Sequence, residues 1–406
     1  MKEGSVIMDF FQTDYETESD EDVPLSAADP AAPGAALPSP PVLIPEELGP
    51  CSGIDVADIG ERLQRDGYRV WRGAVEASYI AELRRDVELL FEQEMMECSR
   101  NNLAVERNAA GKVTRGHLLG KRGVHELDIV YEGRVAMPTG AIALDLCPAV
   151  RRFVDEIGPR LAVQLTACFP TLRLSGLDTV KVQLNEGDAA PSGGDAGDAG
   201  RCFPMHYDTS SSFSRRAVTM LIYLNDEWSD SVDGGELRIY PFPFAHVDVA
   251  PEAGTAALFA ATETLHRVMP SKRRRLCLSV WFASEAAPGD GSANDLLFPA
   301  VSAVRAAIAA IDAEEDERAA ALTPLLPFLR TRLGRRMVAK VHHRDAYRES
   351  FLDAFGDNAK VREALAVDAR ETDAAEARLG GAMVRLLRGR DGDAEGSAAL
   401  PLPVMP

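Results

Sequence analysis

A mainly β core of the α+β class, an antiparallel sandwich or barrel set among helices, is the fold this sequence predicts, and three observations carry it. Between residues 179 and 284 the runs "TVKVQL", "AVTMLIYL", "GELRIY", "TAALFA" and "RLCLSVWF" are short, rich in strand-forming residues and separated by Gly, Asp and Pro. Upstream, "EASYIAELRRDVELLFEQEMME" repeats its apolar residues at intervals of three and four, which is the period of an amphipathic helix. After about Asn294 the chain turns Ala-, Arg- and Glu-rich with helical spacing.

Taken in order, residues 1–48 hold eleven acidic residues against the single Lys2, then the Pro/Ala-rich "PLSAADPAAPGAALPSPPVLIP". Such a segment has too little apolar surface to offset chain entropy and is expected to be a disordered acidic tail. Residues 49–177 are expected to support the core. There, "VADIGERLQRDGYRVWRGAV" reads as a helix running into a strand from Tyr68 to Arg72, the long amphipathic helix follows, and "PAVRRFVDEIGPRLAVQL" reads as a second, weaker helix. Residues 178–290 form the β core itself, interrupted by "NEGDAAPSGGDAGDAGRC", which reads as a mobile loop. Residues 291–406, with "AVRAAIAAIDAEEDERAAAL" and "KVREALAVDARETDAAEARLGGAMVRLL", are expected to be a helical region covering the sheet or forming a satellite bundle.

Composition narrows the function. A chain of 406 residues with 46% hydrophobic content can bury a sizeable core. Its formal net charge of −19 argues against a nucleic-acid binder, because phosphate backbones call for an excess of lysine and arginine. No apolar run is long enough to span a bilayer, and the N-terminus lacks the basic start and apolar stretch of a secretion signal, so a cytoplasmic or nuclear location is expected. The six cysteines are scattered without CxxC pairing, which suggests reduced thiols rather than a zinc knuckle or a disulfide framework.

The chain has seven histidines, and His206 stands two residues from Asp208 in "FPMHYDTSSSF". On an extended segment both side chains point to one face, so an imidazole nitrogen and a carboxylate oxygen can reach one point. A third donor is needed before such a pair is informative. His266, 58 residues after Asp208 in "ETLHRVMPSKRRRLCLSVWF", is the candidate. Two imidazoles and one carboxylate make the facial triad of non-haem iron(II) oxygenases, and the same set can also hold zinc with one position open. Arg275 bears on that choice. If "RLCLSVWF" is a strand, Arg275, Cys277, Ser279 and Trp281 share one face and Leu276, Leu278, Val280 and Phe282 the other. An arginine entering a sheet interior needs a partner, and a co-substrate carboxylate would supply one. Lys272, Arg273 and Arg274 read as a solvated basic turn. His117, His125, His246, His342 and His343 lack comparable neighbours.

The order His206-x-Asp208, "AVTMLIYLNDEW", "DGGELRIYP", His266, Arg275 and "SVWF" resembles the iron(II)/2-oxoglutarate-dependent dioxygenases of the prolyl 4-hydroxylase family. Within that family it is similar to the intracellular hypoxia-sensing-type prolyl hydroxylases, over roughly residues 178–284. The resemblance implies a double-stranded β-helix, or jelly roll, with flanking helices. It implies His206, Asp208 and His266 as the catalytic metal ligands and Arg275 as the anchor for the distal carboxylate of 2-oxoglutarate. Where the family usually has a tyrosine before the HxD motif, this chain has Gln183, whose amide can donate a hydrogen bond in its place. The cofactors implied are Fe(II), 2-oxoglutarate and O2, with ascorbate as an optional addition. The implied reaction hydroxylates a C–H bond, most simply that of a prolyl residue in a protein or peptide, with release of succinate and CO2. A small-molecule 2-oxoglutarate oxygenase and a non-catalytic oxygenase-fold scaffold are the alternatives.

Overall fold

Two antiparallel sheets face each other and enclose a narrow cavity between them. The structure is a computed structural model that describes residues 45–107, 113–187, 201–208, 214–241, 244–285, 323–330 and 332–388. A short 3-10 helix at Pro45–Cys51 leads into α1 (Ile59–Asp66), β1 (Tyr68–Trp71) and α2 (Ala77–Glu92). α1 stops at Gly67, whose φ of 79° is the left-handed conformation that ends helices and whose N–H caps Leu63 O. A long hairpin follows, β2 (Glu97–Arg107) and β3 (Val113–Tyr131), with β4 (Arg134–Val135) folded back on β3. Next come α3 (Thr139–Leu146), α4 (Pro148–Arg152) and α5 (Gly158–Cys168), the last two joined through a π-helical turn at Phe153–Ile157.

The remaining strands are β5 (Leu174–Asn185), β6 (Phe203–His206), β7 (Arg216–Tyr223), β8 (Leu237–Tyr240), β9 (Val247–Val249), β10 (Ala256–Ala260), β11 (Leu265–Val268) and β12 (Arg275–Ser284), with one turn of helix, α6 (Asp230–Asp233), before β8. The larger sheet runs β1-β10-β7-β12-β5-β3-β2 and the smaller β6-β11-β8-β9. This is the jelly roll that the resemblance implies. Four helices close the described chain: α7 (Arg332–His342), α8 (Arg344–Phe355), α9 (Ala359–Leu379) and α10 (Gly381–Arg388).

Strand alternation decides what each face of the larger sheet does. Val180, Val182 and Leu184 of β5, Val218, Met220 and Ile222 of β7, and Leu276, Leu278, Val280 and Phe282 of β12 join the N-terminal helices in one apolar core. The other face of the same strands looks into the cavity, so the expected register of β12 is the observed one. Lys272, Arg273 and Arg274 are exposed, whereas Arg275 is buried. A second core joins the C-terminal helices to the outer side of the smaller sheet, through Met205, Tyr207, Tyr240 and Leu265. Cutting the chain after Ser284 should bare these residues and give an insoluble protein; a soluble product in a pelleting assay would show the C-terminal helices to be an independent unit.

Several expectations need adjustment. Leu48, assigned to the tail, is buried in the first core and so belongs to the fold; residues 1–44 lie outside the described residues, as do 188–200, within the segment expected to be a mobile loop, and "AVRAAIAAIDAEEDERAAAL". The β2–β3 hairpin has no counterpart in the sequence reading. Among the described residues no helix is long and apolar enough to cross a membrane, and the six cysteines are free thiols.

Candidate metal centre

His206 closes β6 and His266 lies on the adjacent β11, where the two are antiparallel partners, so register places the imidazoles side by side with ring centroids 4.3 Å apart. Asp208 follows two residues after His206 and puts Oδ1 at 3.3 Å from His206 Nε2 and 3.4 Å from His266 Nε2. All three are buried. Among the described residues this is the one group of three His, Cys, Asp or Glu side chains whose ligand atoms converge tightly enough to hold a metal.

The surroundings fix which atom each residue offers. His206 Nδ1 is 2.7 Å from Pro204 O and His266 Nδ1 is 3.0 Å from Thr264 O. A carbonyl can only accept, so each Nδ1 carries the proton and each Nε2 keeps a lone pair aimed at the common point. Asp208 is oriented through its other oxygen: Oδ2 accepts from Thr219 Oγ1 at 2.5 Å and from Trp281 Nε1 at 3.0 Å, which leaves Oδ1 for the centre. Burial alone would raise the Asp208 carboxyl; the adjoining imidazoles of His266 and His206 outweigh it and hold the group well below its usual range. Burial, with the neighbouring His266, pushes His206 down from its ordinary value. Both effects favour the deprotonated donors that a metal requires.

The two orienting groups on Asp208 were not singled out in the sequence. Trp281 shares the inward face of β12 and Thr219 that of β7, and Arg216 stacks its guanidinium 4.9 Å from the Trp281 ring while binding Asp178 at 2.8 Å. Trp281→Phe keeps the packing and removes one donor. Metal affinity should then fall by about tenfold, at the low end for loss of an outer-sphere partner because Thr219 still holds Oδ2; calorimetric titration of the apo-protein checks it.

Arg275 sits at the other end of the cavity wall. It is 1% exposed, its Nε donates to Gly235 O at 2.9 Å, and its Nη2 is a buried donor with no partner in the protein. Its guanidinium lies 5.0 Å from the ring of Tyr223, whose buried hydroxyl likewise has no hydrogen-bond partner. Buried polar groups are rarely left in this state, and the pair has two donors that could serve a ligand's acceptor. Burial raises the Tyr223 hydroxyl, which therefore stays protonated and can donate. In sequence Tyr223 is merely one residue of an apolar strand.

Gln183 lines the same cavity from β5, beside Arg275's strand, and donates through Nε2 to Asn185 Oδ1 at 3.2 Å. Two positions back, Lys181 also faces inward, 3.0 Å from Glu126 Oε1 and 3.6 Å from Asp128 Oδ1 on β3. Burial would lower the Lys181 ammonium, but these two carboxylates outweigh it and keep it charged. Elsewhere, His117 pairs with Glu363 and His125 with Glu186, both away from the centre.

Residues 195–283 match the sequence profile of the 2OG-Fe(II) oxygenase superfamily. Over 73 residues the chain is 32% identical to "Hypoxia-inducible factor prolyl hydroxylase" of Caenorhabditis elegans, covering 18% of this chain and 10% of that protein. Over 85 residues it is 32% identical to "Egl nine homolog 1" of Homo sapiens, covering 20% of each. The chain thus spans a tenth and a fifth of the lengths of these two relatives. A solved structure of prolyl 4-hydroxylases from Phytophthora capsici superposes with a TM-score of 0.58 at 21% identity, over 88% of this chain and 97% of that one, and shares the fold. Profile, fold and convergent donors coincide on one stretch of sequence, and the chain carries a 2OG-Fe(II) oxygenase domain.

Proposed function

We propose that this protein is an iron(II)- and 2-oxoglutarate-dependent dioxygenase that hydroxylates a C–H bond, with a prolyl residue in a protein or peptide as its substrate. The observation that carries the reading spans one cavity: three convergent donors on the smaller sheet and, on the larger, a buried guanidinium with a donor to spare. A hydrolytic zinc site requires only the first feature; the second adds a buried partner for the carboxylate of a co-substrate. His206 and His266 would hold iron(II) through Nε2 and Asp208 through Oδ1, a set that suits this metal and leaves part of its coordination sphere to co-substrate. When bound, iron(II) and 2-oxoglutarate would activate O2 for insertion of one oxygen atom into a C–H bond, with succinate and CO2 as co-products.

The chain's own residues orient and enclose. Arg275 binds the distal carboxylate through Nη2, and the Tyr223 hydroxyl stands beside it as a second donor. Gln183, on the neighbouring strand, spends one amide hydrogen on Asn185 and keeps the other for the co-substrate. Trp281 and Thr219 keep Oδ2 of Asp208 occupied, so only Oδ1 is offered. The prolyl substrate is supported by the name of one sequence relative, "Hypoxia-inducible factor prolyl hydroxylase". The test is incubation of the purified chain with Fe(II), 2-oxoglutarate and proline-containing peptides, reading succinate and a gain of one oxygen by mass spectrometry. Tight recovery of zinc, with no succinate under any iron or substrate condition, would overturn the reading.

A further inference from the structure

Because successive strand side chains point to opposite faces, the spacing that turns His206 and Asp208 inward turns Met205 and Tyr207 outward. On that outward side lie α7 and α8. Ser350 of α8 is wholly buried; it donates its hydroxyl to Tyr347 O at 2.6 Å and accepts the Met205 N–H at 2.9 Å. One helical turn later Asp353 Oδ2 meets Arg267 Nη2 at 2.6 Å, and Arg267 directly follows His266. Arg336 of α7 donates to Thr262 O at 2.6 Å and lies over the Tyr207 ring at 4.7 Å.

The strands need such help. β6 and β11 are four residues each, and their ladder slips between His266 and Val268, leaving His266–His206 and Val268–Phe203 as the registered pairs. β6 is moreover an edge strand of its sheet. A short, irregular ladder at a sheet edge fixes the separation of two ligands only loosely. We propose that Ser350 and Asp353 are positioning residues for the metal centre: by tying residues 205 and 267 to one rigid helix, α8 sets the separation of His206 and His266. This rests on the reading of His206, Asp208 and His266 as metal ligands.

Cobalt(II), titrated into the apo form of the full chain under anaerobic conditions, reports affinity, and its visible d–d bands report ligand geometry. Ser350→Ala and Asp353→Ala should each weaken cobalt(II) binding by about tenfold, as loss of an outer-sphere partner does, and shift the d–d spectrum. Ser350→Thr, which keeps the hydroxyl, should restore both. Asp353→Asn, which keeps an acceptor without the charge, should fall between and stands in if the alanine variant does not fold. Lys340→Met is the control, since it removes ion pairs with Asp368 and Glu371 that lie within the C-terminal helices. It should lower the melting temperature and leave affinity and spectrum unchanged. Wild-type affinity and spectrum in Ser350→Ala and Asp353→Ala, or an equal loss in Lys340→Met, would overturn the proposal alone. Failure of the wild type itself to bind cobalt(II) would overturn the metal reading and the proposal with it.

Discussion

Asp208→Ala is expected to abolish succinate formation, because it removes the only charged donor of the three and the only one that both imidazoles face. Substitutions in the outer sphere of metal sites typically cost about 10–100-fold, so loss of a ligand itself should exceed that range and bring turnover below detection. The change also strands two donors, Thr219 Oγ1 and Trp281 Nε1, in a buried site without their acceptor. Asp208→Asn separates the two effects: it keeps an acceptor for these groups while lowering the ligand charge, so it should fold like wild type and still be inactive. Succinate release and metal content are measured together. Near-normal turnover in either variant would remove Asp208 from the metal site.

Arg275→Ala is expected to raise the 2-oxoglutarate requirement by at least about tenfold, equivalent to roughly 1.4 kcal/mol, with metal binding retained. The loss of one partner from a buried charge pair costs on the order of 2–5 kcal/mol, so tenfold is the conservative end. Arg274→Ala should change little, since Arg274 is exposed and leans over Phe91 on the far side of the sheet. Lysine at 275 should recover part of the affinity by restoring charge without the planar fork. Succinate formation against 2-oxoglutarate concentration distinguishes the variants; an unchanged curve for Arg275→Ala would place the carboxylate elsewhere in the cavity.

What could be read from sequence depended on whether alternation was strict. In β12 every second residue is apolar, so face and register followed directly, and with them the inward course of Arg275. The HxD spacing and His266 were legible for the same reason. β2 and β3 were not: "ECSRNNLAVER" and "VTRGHLLGKRGVHELDIVY" are broken by glycines and charges because their two faces meet different surroundings along their length, from the β5 edge to the C-terminal helices. Pairing to distant strands, rather than local pattern, makes them extended. Tyr223 was hidden inside an apolar run, since only its contact with Arg275, 52 positions later in the chain, gives its hydroxyl a purpose. The Lys181–Glu126 pair joins residues 55 apart, and no composition signal links them.

Both histidine tautomers are set by main-chain carbonyls two residues upstream, at Pro204 and Thr264. A carbonyl survives any substitution at its own position, so these two orienters are beyond the reach of point mutation as long as the strand keeps its course. The orienters of Asp208 are side chains and enjoy no such protection. Genetic vulnerability around the centre should therefore be lopsided. In a saturation scan scored by metal binding, positions 204 and 264 should accept many residues that keep the backbone extended, whereas 219 and 281 should accept few.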